Sequence, residues 1–132
     1  MIQEPLQGFT FSPQQEHLWK LQHESGCTRC FVQGEVACRG DLDPAVLRAA
    51  LEAVVQRHDS LRTFLHRLPG LATPVQVVGE GCALSWRNSD LGLLSPDDRR
   101  DEIGHLLREA ADLPFQLDAE PPLRAHLVRL GP

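Results

Sequence analysis

Three times in this chain a serine or aspartate, each able to cap a helix, is followed at once by proline: Ser12-Pro13, Asp43-Pro44 and Ser95-Pro96. No other feature constrains the fold as strongly. A serine or aspartate oxygen accepts a hydrogen bond from the open N–H groups of a first helical turn. Proline at the next position loses no hydrogen bond and brings a φ already suited to a helix. Three helix starts are therefore set, and everything else must fit between them. In "SPQQEHLWKLQ", Gln15 stands where the partner of a capping box belongs. Leu18, Trp19 and Leu21 give this helix an apolar side, and Gly26 ends it, so it covers roughly residues 12–24. In the second, Leu47, Ala50, Leu51, Val54 and Val55 recur at helical spacing opposite Arg48, Glu52 and Gln56, which predicts a helix over 43–58. In the third, Asp97 and Asp98 load the first turn, and Ile103, Leu106, Leu107, Ala110 and Ala111 form the apolar stripe. Pro114 enforces its stop, which predicts a helix over 95–112.

The pieces between the helices read as strands: Phe31 to Arg39, Arg62 to His66, Val75 to Val78, Ala83 to Arg87, and finally "PLRAHLVRL". In the first, Cys30, Val32, Gly34, Val36 and Cys38 share one face and Gln33, Glu35 and Arg39 the other, so the first set is expected to face the core. The order α-β-α-β-β-β-α-β suits an α/β protein, a two-layer sandwich with a mixed sheet covered by helices. The Leu47/Leu51/Val55 and Ile103/Leu107/Ala110 stripes should both pack on the sheet.

With 132 residues the chain is one domain or part of one, with no repeat and no internal linker. A net charge of −5 and no basic run argue against nucleic acid and anionic membrane surfaces as partners. No apolar run approaches the roughly 18 residues of a membrane span, and "MIQEPLQGFT" lacks the pattern of a secretion signal, so a cytoplasmic location is expected.

Chemistry has few places to hide. Cys27 and Cys30 form a Cys-x-x-Cys pair, but no second ligand pair follows at zinc-finger spacing, and Cys30 and Cys38 suit a half-buried strand. Glu16-His17 and His58-Asp59 are sequence neighbours, which on a helix do not face one another. Glu102, His105 and Glu109 share a helix side with Asp98, Asp101, Arg108 and Asp112, and an ordinary solvated face explains them. No Gly-rich phosphate loop and no Gly-x-Ser-x-Gly elbow occurs. The stretch "RHDSLRTF", Arg57 to Phe64, is the densest polar cluster and poses the question of catalysis or support.

Three stretches, in order, carry a resemblance. "SPQQEHLWKLQ" resembles the opening motif of the condensation domains of nonribosomal peptide synthetases, Ser-x-Ala-Gln-x-Arg-Leu-Trp-x-Leu, through Ser12, Gln15, Leu18, Trp19 and Leu21. Gln14 stands for the usual alanine and His17 for the usual arginine. "RHDSLRTF" resembles the second motif, Arg-His-x-x-Leu-Arg-Thr-x-Phe, through Arg57, His58, Leu61, Arg62 and Thr63, with its phenylalanine one place early at Phe64. "LPFQLDAEPPLRAHLVRL" is similar to the stretch leading into that family's catalytic strand, and the resemblance covers about Phe9 to Leu130.

The resemblance implies a chloramphenicol-acetyltransferase-like fold, of which this chain would be part of the N-terminal lobe, as one partial domain over 1–132. It implies a parent activity of peptide-bond formation between acyl and aminoacyl groups, both held as thioesters on the phosphopantetheine arms of carrier proteins. The family's signature, His-His-x-x-x-Asp-Gly, is absent, since no two histidines are adjacent here. The chain is thus expected to end before that motif, to be inactive alone, and to hold no catalytic, cofactor or metal residues. On this reading "RHDSLRTF" is support, with Arg62 bracing the catalytic loop in the parent domain and Arg57 complementing a helix C-terminus. The alternatives are a stand-alone module that binds a carrier protein or synthetase, and one half of a split acyltransferase. Polyketide-associated acyltransferases share the fold, but the "RHDSLRT" form favours condensation domains. Residues 122–130 would leave an apolar strand edge open to self-association or to the missing remainder of the domain.

Overall fold

A computed structural model of the chain describes residues 7–26, 30–81 and 84–131. The three capped helices stand where the serine–proline and aspartate–proline pairs put them: α1 Pro13–Glu24, α2 Pro44–Arg57 and α3 Pro96–Asp112. Each cap is made. Ser12 Oγ accepts from Gln15 N, Asp43 Oδ1 from Ala45 N and Val46 N, and Ser95 Oγ from Asp98 N.

Five strands complete the fold: β1 Gly8–Phe9, β2 Thr63–His66, β3 Val75–Val78, β4 Ser85–Asp90 and β5 Arg124–Arg129. The α/β class holds, with parallel and antiparallel pairing divided over two sheets. One is antiparallel in the order β1-β3-β2, with Leu65 opposite Gln76 and Phe9 also opposite Gln76. The other pairs β4 with β5 in parallel, Ser85 opposite Arg124 and Asp90 opposite Arg129, across the crossover helix α3. β1 and a short 3-10 turn at Asp59–Leu61 were not legible as elements in the sequence. Of the expected strand Ala83 to Arg87, Ala83 lies outside the described residues, and β4 runs on to Asp90.

Two expectations fail. Residues 32–39 run without helix, turn or ladder, so the strand expected there is not formed. Alternation marks a chain able to be a strand, but a strand exists only where a neighbour satisfies its N–H and C=O groups. The expected core face is not buried either: Val32 and Val36 are 99% and 85% exposed, and Cys38 is exposed, as are Gln33, Glu35 and Arg39 on the other face. The segment is held near its start, Phe31 meeting Phe115 edge-on at 6.1 Å and Gln33 Nε2 donating to Leu107 O at 3.2 Å. On α3, Ile103 and Leu107 are half-buried as expected, whereas Ala110 is exposed.

The buried aliphatic core consists of Val55 on α2, Val75 at the start of β3, and Leu84 and Leu91 flanking β4. It is small for the chain. The accessible surface is 10203 Å² for 14.7 kDa, where a folded monomer of that mass exposes about 6,900 Å².

Val55 has no exposed surface, while its neighbour Val54 is 42% exposed. Val55→Asp should therefore cost roughly 3 kcal/mol or more, an unpaired charge in the core, and Val54→Asp less than about 1 kcal/mol. Urea denaturation of the two variants checks this, and equal losses would mean that α2 presents a different face.

Candidate functional site

The two motif regions meet on the β2–β3 pair. At the start of α1 the capping box is complete, with Ser12 N donating to Gln15 Oε1 at 2.9 Å and Gln15 N to Ser12 Oγ at 3.3 Å. Gln15 then reaches across to β3: its Nε2 donates to Gln76 Oε1 at 2.9 Å, and Gln76 Nε2 donates to Gln15 Oε1 at 3.2 Å and to Thr10 O at 3.1 Å. One glutamine thus caps its own helix and ties it to the sheet. Trp19, two turns into α1, stacks on His23 at 4.4 Å, meets Phe11 at 6.4 Å, and lies under the Arg67 guanidinium at 5.6 Å, just beyond β2. Leu18 is 49% exposed.

The second motif builds the junction from α2 to β2. Arg57 lies in the last turn of α2 and His58 is its C-cap, the His58 N–H donating to Val54 O at 3.2 Å. Both side chains are exposed, and Leu61 is half-buried. The 3-10 turn follows, and Arg62 closes it. Arg62 Nη2 donates to Asp59 Oδ1 at 2.5 Å and Nη1 to Gly79 O at 2.6 Å, while Gly79 N returns a bond to Arg62 O at 2.9 Å. Thr63 Oγ1 donates to Asp59 O at 2.7 Å. A Cβ at Gly79 would stand 2.8 Å from the Phe64 ring, so a side chain there would have to displace that ring. The guanidinium is largely buried, and its Nε–H has no acceptor among the described residues. Arg62 is therefore a bracket with both Nη arms engaged and a buried Nε–H left over.

Two further polar groups were not legible in the sequence. Ser89 Oγ on β4 and His126 Nε2 on β5 lie 2.8 Å apart. Burial pushes the His126 imidazole below its ordinary range, Arg87 adds to this, and Glu109 opposes it. Arg87 and Glu109 themselves pair at 3.3 Å. The strand register that places Ser89 beside His126 could not be read from either strand alone.

The other group centres on Arg124. Its guanidinium pairs with Glu120, donates to Leu113 O and Pro114 O at 2.8 Å each, and lies 4.2 Å over the Phe115 ring. Glu120 Oε1 also accepts from Gln116 N at 2.7 Å. The Arg124 hydrogen bond, chiefly, holds the Glu120 carboxyl below the usual range, against the opposing effect of burial. The two charges and one planar fork order the whole turn between α3 and β5. Among the described residues no three His, Cys, Asp or Glu side chains come together as a metal site would need. Cys27 and Cys82 lie outside the described residues.

A family model described as the condensation domain matches residues 7–132. The chain is 38% identical over 119 residues to cyclosporin synthetase of Tolypocladium inflatum, which takes in 89% of this chain and 1% of that protein. It is 36% identical over 120 residues to chondramide synthase of Chondromyces crocatus, 89% of this chain and 3% of that one. The chain thus spans only a few hundredths of the length of these curated relatives. Among solved structures, the starter condensation domain of the rhizomide synthetase superposes with a TM-score of 0.72 at 22% identity, over 96% of this chain and 30% of that one. The EpoB cyclization-docking bidomain from Sorangium cellulosum superposes with a TM-score of 0.56 at 30% identity, over 69% and 17%.

A carboxylate whose folded pKa is depressed stabilises the fold above its unfolded value and loses that contribution as pH falls through the folded one. Glu120→Gln should therefore be less stable than the natural chain by a constant amount above about pH 5, and the gap should shrink as pH falls below about 4. Melting temperatures of both proteins across that range are the check. A gap that widens on acidification would mean Glu120 is not held ionised by Arg124.

Proposed function

The chain belongs to the condensation-domain family, and on that premise we propose that it is the N-terminal portion of a nonribosomal peptide synthetase condensation domain, one partial domain over residues 1–132. The parent reaction is peptide-bond formation: the amine of one carrier-bound aminoacyl thioester attacks the carbonyl of a second carrier-bound acyl thioester, and the donor thiol leaves. The partners are carrier proteins with phosphopantetheine arms, and the location is cytoplasmic. The observation that carries the reading is the match across residues 7–132, with both motifs meeting on the β2–β3 pair.

Within that reaction this chain's residues hold shape. Ser12, Gln15 and Trp19 fix α1 against β3 and the β2–β3 loop. Arg62 and Thr63 lock the α2–β2 junction through Asp59, with His58 as the helix end and Leu61 half-buried in the turn. The remaining Nε–H of Arg62 supports a bracing role, since a buried donor of a charged group calls for an acceptor. The family's histidine signature is not in this sequence, so the chain alone is proposed to be inactive. The test is incubation with loaded donor and acceptor carrier proteins, in which no dipeptide should form above the uncatalysed rate. Product that disappears in His58→Ala would overturn both the support reading and the inactivity.

A second reading, an interaction module or half of a split acyltransferase, is favoured by β5. β4 pairs one side of it, and among the described residues no strand pairs the other. Self-association or capture of the complementary part of a domain through 122–130 follows from such an edge. Sedimentation at rising concentration should show assembly that Val128→Lys suppresses; a monomer at every concentration would remove this reading.

A further inference from the structure

We propose that Arg87, Ser89, His126 and Glu109 form an acid-sensitive clasp, which fastens the C-terminal half of α3 to the β4–β5 pair while His126 is neutral and loosens when that ring becomes a cation. The inference goes beyond the family reading and does not depend on it. Its basis is the register of the parallel pair. Arg87 stands directly opposite His126, and Ser89 follows two residues further along the same face of β4. Ser89 Oγ and His126 Nε2 are 2.8 Å apart, and Arg87 Nη1 donates to Glu109 Oε1 on α3 at 3.3 Å. Arg87 and Glu109 are thus the charged groups that bear on the ring from β4 and from α3. On β5 itself Arg124 shares the face, but its guanidinium is turned to Glu120, Leu113 and Pro114.

Each part has a physical task. A hydroxyl can donate to a ring nitrogen or accept from a ring N–H, so Ser89 holds the imidazole in place in either charge state. A ring held in this way cannot turn from Arg87 when it becomes a cation, and like charges directly opposite on paired strands repel. Partial burial already disfavours the charged ring, Arg87 adds to this, and Glu109 opposes it. With the ring charged, one carboxylate faces two cations. Relief comes from Arg87, whose side chain is 59% exposed and can swing into water, and its tie to Glu109 is then lost. α3 feels the loss at one end. Its N-terminal turn is fastened separately by Arg99, which donates to the Leu91, Gly92 and Leu94 carbonyls.

The sign follows from linkage. A histidine that is harder to protonate in the fold than in the unfolded chain leaves stability intact above about pH 6.5 and lowers it as pH falls below that value. An NMR titration of the His126 ring reads the clasp directly. Arg87→Gln removes the opposing cation and should raise the midpoint by about 0.3 pH unit, while Glu109→Gln should lower it by about as much. Both side chains are largely exposed, so both variants should keep their far-UV circular dichroism. Amide exchange between about pH 7 and about pH 5 should quicken at 105–112 and not at 96–100, measured against His126→Gln at the same pH. Glutamine can still pair with Ser89 but does not titrate. Midpoints that stay put, or that move the same way in both charge variants, would overturn the proposal. So would an equal quickening in His126→Gln, or one spread evenly along α3.

Discussion

One guanidinium holds the two halves of this chain together. Arg124 opens β5, and its donors take the Leu113 and Pro114 carbonyls and the Glu120 carboxylate while its plane lies on Phe115. No lysine could do this, because a point charge has neither the fork nor the flat face. Holding 113–120 in shape has a second effect. Leu117 O then accepts from Leu65 N at 2.8 Å, so the turn that feeds the parallel pair also docks on β2 of the antiparallel sheet. Phe115 in turn receives Phe31. α3, both sheets and the unpaired 31–39 segment all touch this one turn.

The helices were legible because their causes are local. A cap and a proline act within one turn, and Ser12, Asp43 and Ser95 were read correctly from neighbours alone. The strands were legible as segments but not as pairs. β3 was read to the residue, while nothing in Val75–Val78 says that Gln76 receives Gln15 from α1. Residues 31–39 show the limit plainly: period-two alternation is present, but both faces of 32–39 are exposed. Alternation tells two faces apart and cannot tell which one a neighbour will cover. Arg124 was likewise visible only as a charge on an edge strand, because its partners lie along the turn that its own contacts shape.

The polar density of "RHDSLRTF" resolves into geometry. Asp59 accepts from Arg62 through its carboxylate, and from Thr63 Oγ1 and Arg62 N through its carbonyl. Gly79 lies against the Phe64 ring, where a Cβ would crowd it, and its carbonyl accepts from Arg62 in the same place. At this change from helix to strand the Arg62 guanidinium and the Thr63 hydroxyl satisfy two backbone carbonyls, those of Gly79 and Asp59.

The parallel pairing of β4 with β5 sets an order in time. Ser85 meets Arg124 only after all of α3 and the turn beyond it have been passed, whereas Leu65 meets Gln76 across a short hairpin. Closing the longer loop costs more entropy before any contact repays it, and parallel pairs are slow for that reason. During synthesis β4 leaves the ribosome well ahead of its partner and waits with both edges bare. Until α3 and the turn beyond it are in place, β4 has no partner strand, and an unpaired strand edge of that kind favours association with other chains.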